Sequence, residues 1–281
     1  MMVRDIERIS LTIDKDVLDK VDKIVDGTNI KNRSHAIEVL LMKSLGPKLK
    51  KAIILCGGKG TRFRPITYEI PKALIPVHGK PIVSHIIDLL KKYQITEICL
   101  SVGYLKERVK EAFGDGTKIG VSITYVEEDE PLGTAGFLRL VDNLDNDFIV
   151  SNGDELKDIN IEEMYKVHRK NNALVTIALT TVSDPSSYGV AKLDGNKILE
   201  FVEKPKKGEE PSNLINAGFY IVSPEVIKMI PKGFAMFEKD VFPKIAKMGR
   251  LYGYTFGGQW FDIGTPERYE IALKKWVGVS K

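Results

Sequence analysis

At 281 residues, 43% hydrophobic and 28% charged, the chain can bury the core of one large domain, or of that plus a small module. Its net charge of +4 is too small to argue for nucleic acid by itself, and no apolar run approaches the length that crosses a bilayer. There is no apolar leader core after Met1, and Cys56 and Cys99 lack the spacing of a metal site or a disulfide framework, so a soluble cytoplasmic protein without membrane contact is expected. The histidines at 35, 78, 85 and 168 are scattered and show no ligand spacing.

Residues 1–47 read as a separate module. Ile9, Leu11 and Ile13 alternate with Arg8, Ser10 and Thr12, which predicts a strand with one apolar face. Asp14 reads as the N-cap of a helix over Lys15 to Val25, ended by Gly27. Ser34 reads as the cap of a second helix, with Ala36, Ile37, Leu40, Leu41 and Leu45 at helical spacing and Gly46-Pro47 stopping it. One strand and two helices need a partner strand to be stable. The stretches Arg8-Ile9-Ser10-Leu11-Thr12-Ile13-Asp14 and Asn32-Arg33-Ser34-His35-Ala36-Ile37 resemble the ribbon-helix-helix family of transcriptional regulators. That resemblance implies that two chains pair their strands, giving a homodimer or a higher even oligomer. It also implies that Arg8, Ser10 and Thr12 face the DNA major groove, while Arg33 and the helix start at Ser34 hold a phosphate. Many acidic residues, among them Asp14, Asp16, Asp19 and Asp22, weaken the electrostatic footprint. The module therefore either binds DNA or only pairs the chains.

Residues 50–281 alternate strand and helix. Apolar runs at Ala52 to Cys56, Glu97 to Val102, Val121 to Val126 and Asp147 to Ser151 are separated by helical stretches beginning near Pro81, Leu105 and Gly133, and another follows near Ile161. The pattern predicts an α/β fold: a Rossmann-like, mixed but mainly parallel sheet with helices on both faces. Ala173 to Leu179 adds a strand, and Asp194-Gly195-Asn196 signals a hairpin, so an antiparallel portion follows. Strands at Ala217 to Val222 and Leu251 to Phe256, and helices near Pro224, from Phe237 to Met248 and from Pro266 to Trp276, complete the domain.

The first apolar run empties into Gly57-Gly58-Lys59-Gly60, followed by Arg62, Arg64 and Lys72. Glycines let the backbone approach a ligand closely, and successive N–H groups make a nest for phosphate oxygens. A Walker A loop is excluded because Gly60 follows Lys59, and the dinucleotide fingerprint is excluded by Phe63. A glycine-rich turn with surface cations is the plainer alternative. Asn152-Gly153-Asp154 leaves another strand end, where a carboxylate can hold Mg²⁺, and Asp262 is a second candidate ligand. Glu203-Lys204-Pro205 and Asn216-Ala217-Gly218 supply a cation and polar groups suited to sugar hydroxyls.

Taken in order, Gly57 to Thr67, Pro71 to Val77, Gly79-Lys80-Pro81, Leu132 to Gly136, Asn152-Gly153-Asp154, Tyr188-Gly189-Val190, Glu203-Lys204-Pro205, Asn216-Ala217-Gly218 and Asp262 to Thr265 resemble the sugar-phosphate nucleotidyltransferases. The resemblance implies an enzyme joining an NTP to a sugar-1-phosphate, with Mg²⁺, to give an NDP-sugar and pyrophosphate. In it Arg62 neutralises the triphosphate and Lys72 the α-phosphate region, while Asp154 and Asp262 hold Mg²⁺. Lys204 binds the sugar phosphate, and Gly189, Glu203, Asn216 and Gly218 meet the sugar. Leu55, Gly57, Gly58, Gly60, Thr61 and Gly133 lie on the nucleotide side.

The run from Glu127 to Gly136 looks most like the mannose-1-phosphate guanylyltransferase branch. Guanine presents two adjacent donors that the Glu127 carboxylate could accept, although a solvated acidic loop explains the same residues. Two other functions stay in view. One is a DNA-binding regulator whose large domain senses sugar nucleotides. The other is a glycosyltransferase of related fold, disfavoured because no Asp-x-Asp follows the Val150 strand.

Overall fold

A computed structural model describes residue 7 and residues 9–28, 30–45 and 49–280. The chain forms two compact units, Met1–Lys48 and Leu49–Lys281.

In the first unit, helix α1 (Lys15–Asp22) begins at its expected cap, with Asp14 Oδ1 accepting from the Asp16 N–H at 2.9 Å. It ends earlier than its apolar spacing predicts, because Asp26 takes the N–H groups of Thr28 and Ile30 and turns the chain. Helix α2 (Arg33–Leu45) is capped by Asn32, whose Oδ1 accepts from His35 N–H at 2.9 Å. Ser34 is therefore in the first turn, one place too far along to reach that amide, and the expected cap is corrected to Asn32. Arg33 grips both oxygens of Asp22, at 2.7 and 2.6 Å, and so ties the end of α1 to the start of α2. Residues 9–14 carry no regular secondary structure where a strand was expected, since a lone strand has no ladder to join. Ser10 and Thr12 are exposed, as are the apolar Ile9 and Leu11, and Arg8 lies outside the described residues.

The second unit opens with β1 (Lys51–Leu55), the short strands β2 (Pro76–Val77) and β3 (Lys80–Pro81), α3 (Ile82–Lys92), β4 (Glu97–Val102), α4 (Lys106–Phe113) and β5 (Ser122–Glu127). A single turn, α5 (Gly133–Gly136), precedes β6 (Phe148–Asn152), β7 (Glu155–Lys157), α6 (Ile161–Lys170) and β8 (Val175–Thr181). The hairpin β9 (Gly189–Asp194) and β10 (Lys197–Glu203) turns at the expected Gly195, followed by β11 (Leu214–Val222). The chain closes with α7 (Phe242–Lys247), β12 (Leu251–Thr255), β13 (Trp260–Asp262) and α8 (Pro266–Lys275).

Nine strands form one sheet in the order β5-β4-β1-β6-β11-β8-β12-β10-β9. The first four are parallel; β10 and β11 run against the others, so the sheet is mixed as expected. Alternation along β1 decides its layers. Ala52 and Ile54 face a core with Val83, Ile86 and Leu90 of α3 and Met164 of α6, while Ile53 faces Phe137, Phe237 and Phe242 on the other side. The helix predicted over Phe237 to Met248 is a π-helical turn, Phe237–Val241, running into α7. A third cluster, with Phe63, Ile75, Leu156, Ile263 and Trp276, anchors the loops beyond the strand ends.

Candidate active site

The site lies beyond the carboxyl ends of β1, β4 and β6, where open parallel sheets place their ligands. β1 delivers Leu55 and Gly57 to this edge. The Leu55 carbonyl accepts from Gly153 N–H at 3.0 Å, which locks the Gly57 loop to the loop carrying Asp154. A Cβ on Gly57 would stand 3.3 Å from Gly103 N and 3.4 Å from Glu128 Oε1, so three strand ends converge there with no room to spare. Thr67 Oγ1 donates to the Gly60 carbonyl at 2.8 Å and folds the loop back on itself. Gly58, Lys59, Thr61 and Arg62 line its exposed rim. Burial pushes the Cys56 thiol up, so it stays protonated and is a poor nucleophile.

Two short strands missing from the sequence reading make the anionic centre. β7 and β13 pair antiparallel, with Asp262 opposite Glu155, and Ile263 N–H donates to the Asp154 carbonyl at 3.2 Å. Asp154, in the turn just before β7, and Asp262, on β13, are thereby brought together from distant parts of the chain. Lys72 Nζ sits 2.5 Å from Asp154 Oδ2, with its side chain only 11% exposed. Burial is the largest single influence and works to raise the Asp154 carboxyl, but the charge and hydrogen bond of Lys72, together with the Lys157 charge and a backbone hydrogen bond, hold the group below its ordinary value. Asp262 Oδ2 accepts from Arg268 Nη1 and, at 3.3 Å, from Tyr188 Oη. Arg62 reaches the same segment, its Nη2 lying 3.2 Å from where a Cβ on Gly264 would stand.

The donor set fits Mg²⁺, which takes hard oxygens and commonly binds one or two carboxylates plus substrate phosphates. Asp154 and Asp262 each keep Oδ1 outside the ion pairs just described. No cluster of three or more His, Cys, Asp or Glu able to hold a metal occurs among the described residues, so the remaining ligands would come from phosphate and water.

The sugar-side residues gather on β9, β10 and β11. Glu203 stands opposite Gly189, and its Oε2 would lie 2.9 Å from a Cβ there, so only glycine leaves it that space. Lys204 is exposed, with a positive φ of 50° and its Nζ 3.5 Å from Glu203 Oε1. Asn216 differs from expectation in detail. Its Oδ1 accepts from Gly218 N–H at 2.9 Å and its Nδ2 donates to Tyr220 Oη at 2.8 Å, so the side chain shapes the loop as much as it faces a ligand. Gly218 has φ +56°, and a Cβ would come within 2.3 Å of Asn152 Nδ2.

Glu127 is engaged by two lysines of α4. Lys106 Nζ and Lys110 Nζ hold its two oxygens at 2.6 and 2.5 Å on the α4 side, and these hydrogen bonds lower its pKa to about 2. Glu128 takes the inward position, accepting from Ser101 Oγ and, at 2.9 Å, from Leu132 N–H. Strand alternation distinguishes the two: one residue along, the side chain crosses to the other face. The Gly133 turn is held by Ala235, whose carbonyl accepts from Ala135 N–H at 2.9 Å. Thr134 Oγ1 donates to buried Glu238 at 2.6 Å, a support that the sequence reading did not single out.

Residues 51–276 match the family model described as nucleotidyl transferase, and residues 7–46 match the ribbon-helix-helix protein, copG family. A mannose-1-phosphate guanyltransferase of Yarrowia lipolytica is 40% identical over 226 residues, covering 78% of this chain and 62% of that protein. The catalytic subunit beta of a Danio rerio mannose-1-phosphate guanylyltransferase is 39% identical with the same coverage. The chain thus spans less than two thirds of the length of these relatives. Among solved structures, a Bacillus anthracis protein assigned as a glucose-1-phosphate thymidylyltransferase, crystallised with sucrose, superposes with a TM-score of 0.74 at 30% identity, covering 82% of this chain and 97% of that one. Strand order, strand-end loops and sequence agree: the chain belongs to the nucleotidyl transferase family, with a ribbon-helix-helix segment ahead of the family domain.

Proposed function

We propose that the chain transfers a nucleotidyl group from an NTP to a sugar-1-phosphate, releasing pyrophosphate in a Mg²⁺-dependent reaction. The observation that carries this reading is the convergence of Lys72, Asp154, Asp262 and Arg62 beside the glycine loop. Both reactants are polyanions, so the work is orientation and charge neutralisation, and no protein nucleophile is required. The sugar phosphate oxygen attacks the α-phosphorus as the bond to pyrophosphate breaks. Lys72 is placed to meet charge at the α-phosphate, and Arg62 to meet the departing pyrophosphate. Asp154 and Asp262 would hold Mg²⁺, which would supply positive charge to the substrate phosphates. On the far side Lys204 takes the sugar phosphate, while Glu203 and the backbone at Gly189 and Gly218 border the sugar.

Glu128 is the proposed reader of the base. Its carboxylate lies beside Gly57 and can accept the two adjacent donors on the pairing edge of guanine. GTP and mannose-1-phosphate are accordingly the first pair to try, in keeping with the names of the relatives. The N-terminal unit would pair copies of the chain by bringing the strands of two partners together, covering Ile9 and Leu11. Pairing is favoured over DNA contact because Asp22 already engages Arg33.

The test is pyrophosphate release across GTP, ATP, CTP, UTP and dTTP against several hexose-1-phosphates, with and without Mg²⁺. Turnover with one NTP and sugar phosphate, lost on chelation, supports the reading. Absence of turnover across the whole grid removes it.

A further inference from the structure

Lys157 is a lysine with no exposed side-chain surface, set behind the proposed site on β7 opposite Trp260. A buried ammonium group is costly unless each of its three protons finds an acceptor. Here Nζ donates to Glu155 Oε2 at 3.0 Å, to the Ala217 carbonyl at 3.0 Å and to the Gly218 carbonyl at 2.9 Å, with Ser151 Oγ at 3.4 Å beyond.

The two carbonyls explain why a cation stands there. Pairing of β11 with β8 shifts register between Asn216 and Tyr220, so the Ala217-Gly218 segment leaves that ladder. Buried carbonyls expelled from a ladder need another donor. The same segment contains Gly218 at φ +56°, with its N–H already bound by Asn216. The Gly218 peptide groups are thus pinned on both sides, by an amide and by an ammonium. Glu155 is itself satisfied by other donors, Asn152 Nδ2 at 2.9 Å and Trp260 Nε1 at 3.1 Å. Neutralising Glu155 is therefore not the whole role of the lysine, and replacing a buried ion pair by apolar residues of like volume is often harmless to stability.

We infer that Lys157 is a positioning residue: it holds the β11 bulge, and with it the Gly218 backbone, in the shape that meets the sugar phosphate. The inference rests on the sugar-1-phosphate reading above.

Two variants test it, Lys157→Met and the double variant Glu155→Leu/Lys157→Met, which removes both charges at similar volume. In both, KM for mannose-1-phosphate should rise about tenfold, the scale of losing hydrogen bonds from a charged donor, while KM for GTP stays within about twofold. Amide hydrogen exchange of the peptide spanning 214–220 should quicken in both variants without substrate. Recovery of wild-type KM and wild-type exchange in the double variant would make Lys157 only the counter-charge of Glu155 and overturn the inference. Absence of turnover in the wild-type protein would instead fault the functional reading, and the exchange measurement would still decide what Lys157 holds.

Discussion

Lys72 and Asp154, 82 positions apart in the chain, meet at 2.5 Å between Nζ and Oδ2 in the partly buried floor of the site. The contact puts a fixed cation next to a carboxylate that is available to a metal. Lys72→Met should lower kcat/KM by about a hundredfold or more, as loss of a preorganised charge at a reacting phosphate does. Asp154→Asn should abolish Mg²⁺-dependent turnover while leaving a cooperative melt. Pyrophosphate release under a Mg²⁺ titration, with circular dichroism on the same samples, reads both.

Gly58 and Gly218 differ in the room that a side chain would find. Among the described residues, no atom beyond its chain neighbours lies within 4 Å of a Cβ built on Gly58, so Gly58→Ala should keep its melting temperature and weaken only NTP binding. Gly218→Ala combines a positive φ with overlap on Asn152 and Glu155 and should cost about 2 kcal/mol or more of stability. Thermal melts with and without NTP distinguish the two outcomes.

Glu127 and Glu128 are adjacent in sequence and have different partners, Lys106 and Lys110 for the first, Ser101 and the Leu132 N–H for the second. Glu127 falls from its ordinary 4.5 to about 2 through hydrogen bonds with Lys106 and Lys110. A carboxyl depressed on folding contributes stability that is present above its unfolded pKa and lost as pH falls through the folded one. Glu127→Gln should therefore lower the melting temperature at pH 7, with the difference from wild type shrinking between about pH 4.5 and about 2 and in high salt. Its choice of NTP should not change. Glu128→Gln should instead erode preference for GTP over the other NTPs, measured as a ratio of kcat/KM values.

Leu11 is 55% exposed in the single chain and would lie under the partner's strand in a pair. Leu11→Asp should convert an even-numbered assembly to monomers in light scattering. Turnover by the second unit should persist, because its proposed site is built from residues of that unit alone.

The main strands and the glycine loop could be read from the sequence because each depends on local alternation and spacing. The unbroken apolar run Ala52-Ile53-Ile54 already marks a strand covered on both faces, and Asp194-Gly195-Asn196 marks the β9–β10 hairpin. Harder to read were features set by a choice among near-equal neighbours. Asn32 and Ser34 are both good caps, and only the geometry of the first turn selects Asn32. Glu127 and Glu128 are chemically alike, and only the side of the strand end separates them.

The sequence by itself determined the fold class and the residues that carry charge, since these follow from period, spacing and side-chain chemistry, and its ordered motifs carried the resemblance to the family. Tertiary structure alone decided which of them meet. β7 and β13 are too short to announce themselves, yet their pairing brings Asp154 to Asp262. Folding encloses Lys157 and leaves two carbonyls of the β11 bulge dependent on it. Contacts across such distances are fixed by packing in three dimensions, which local pattern along the chain does not encode.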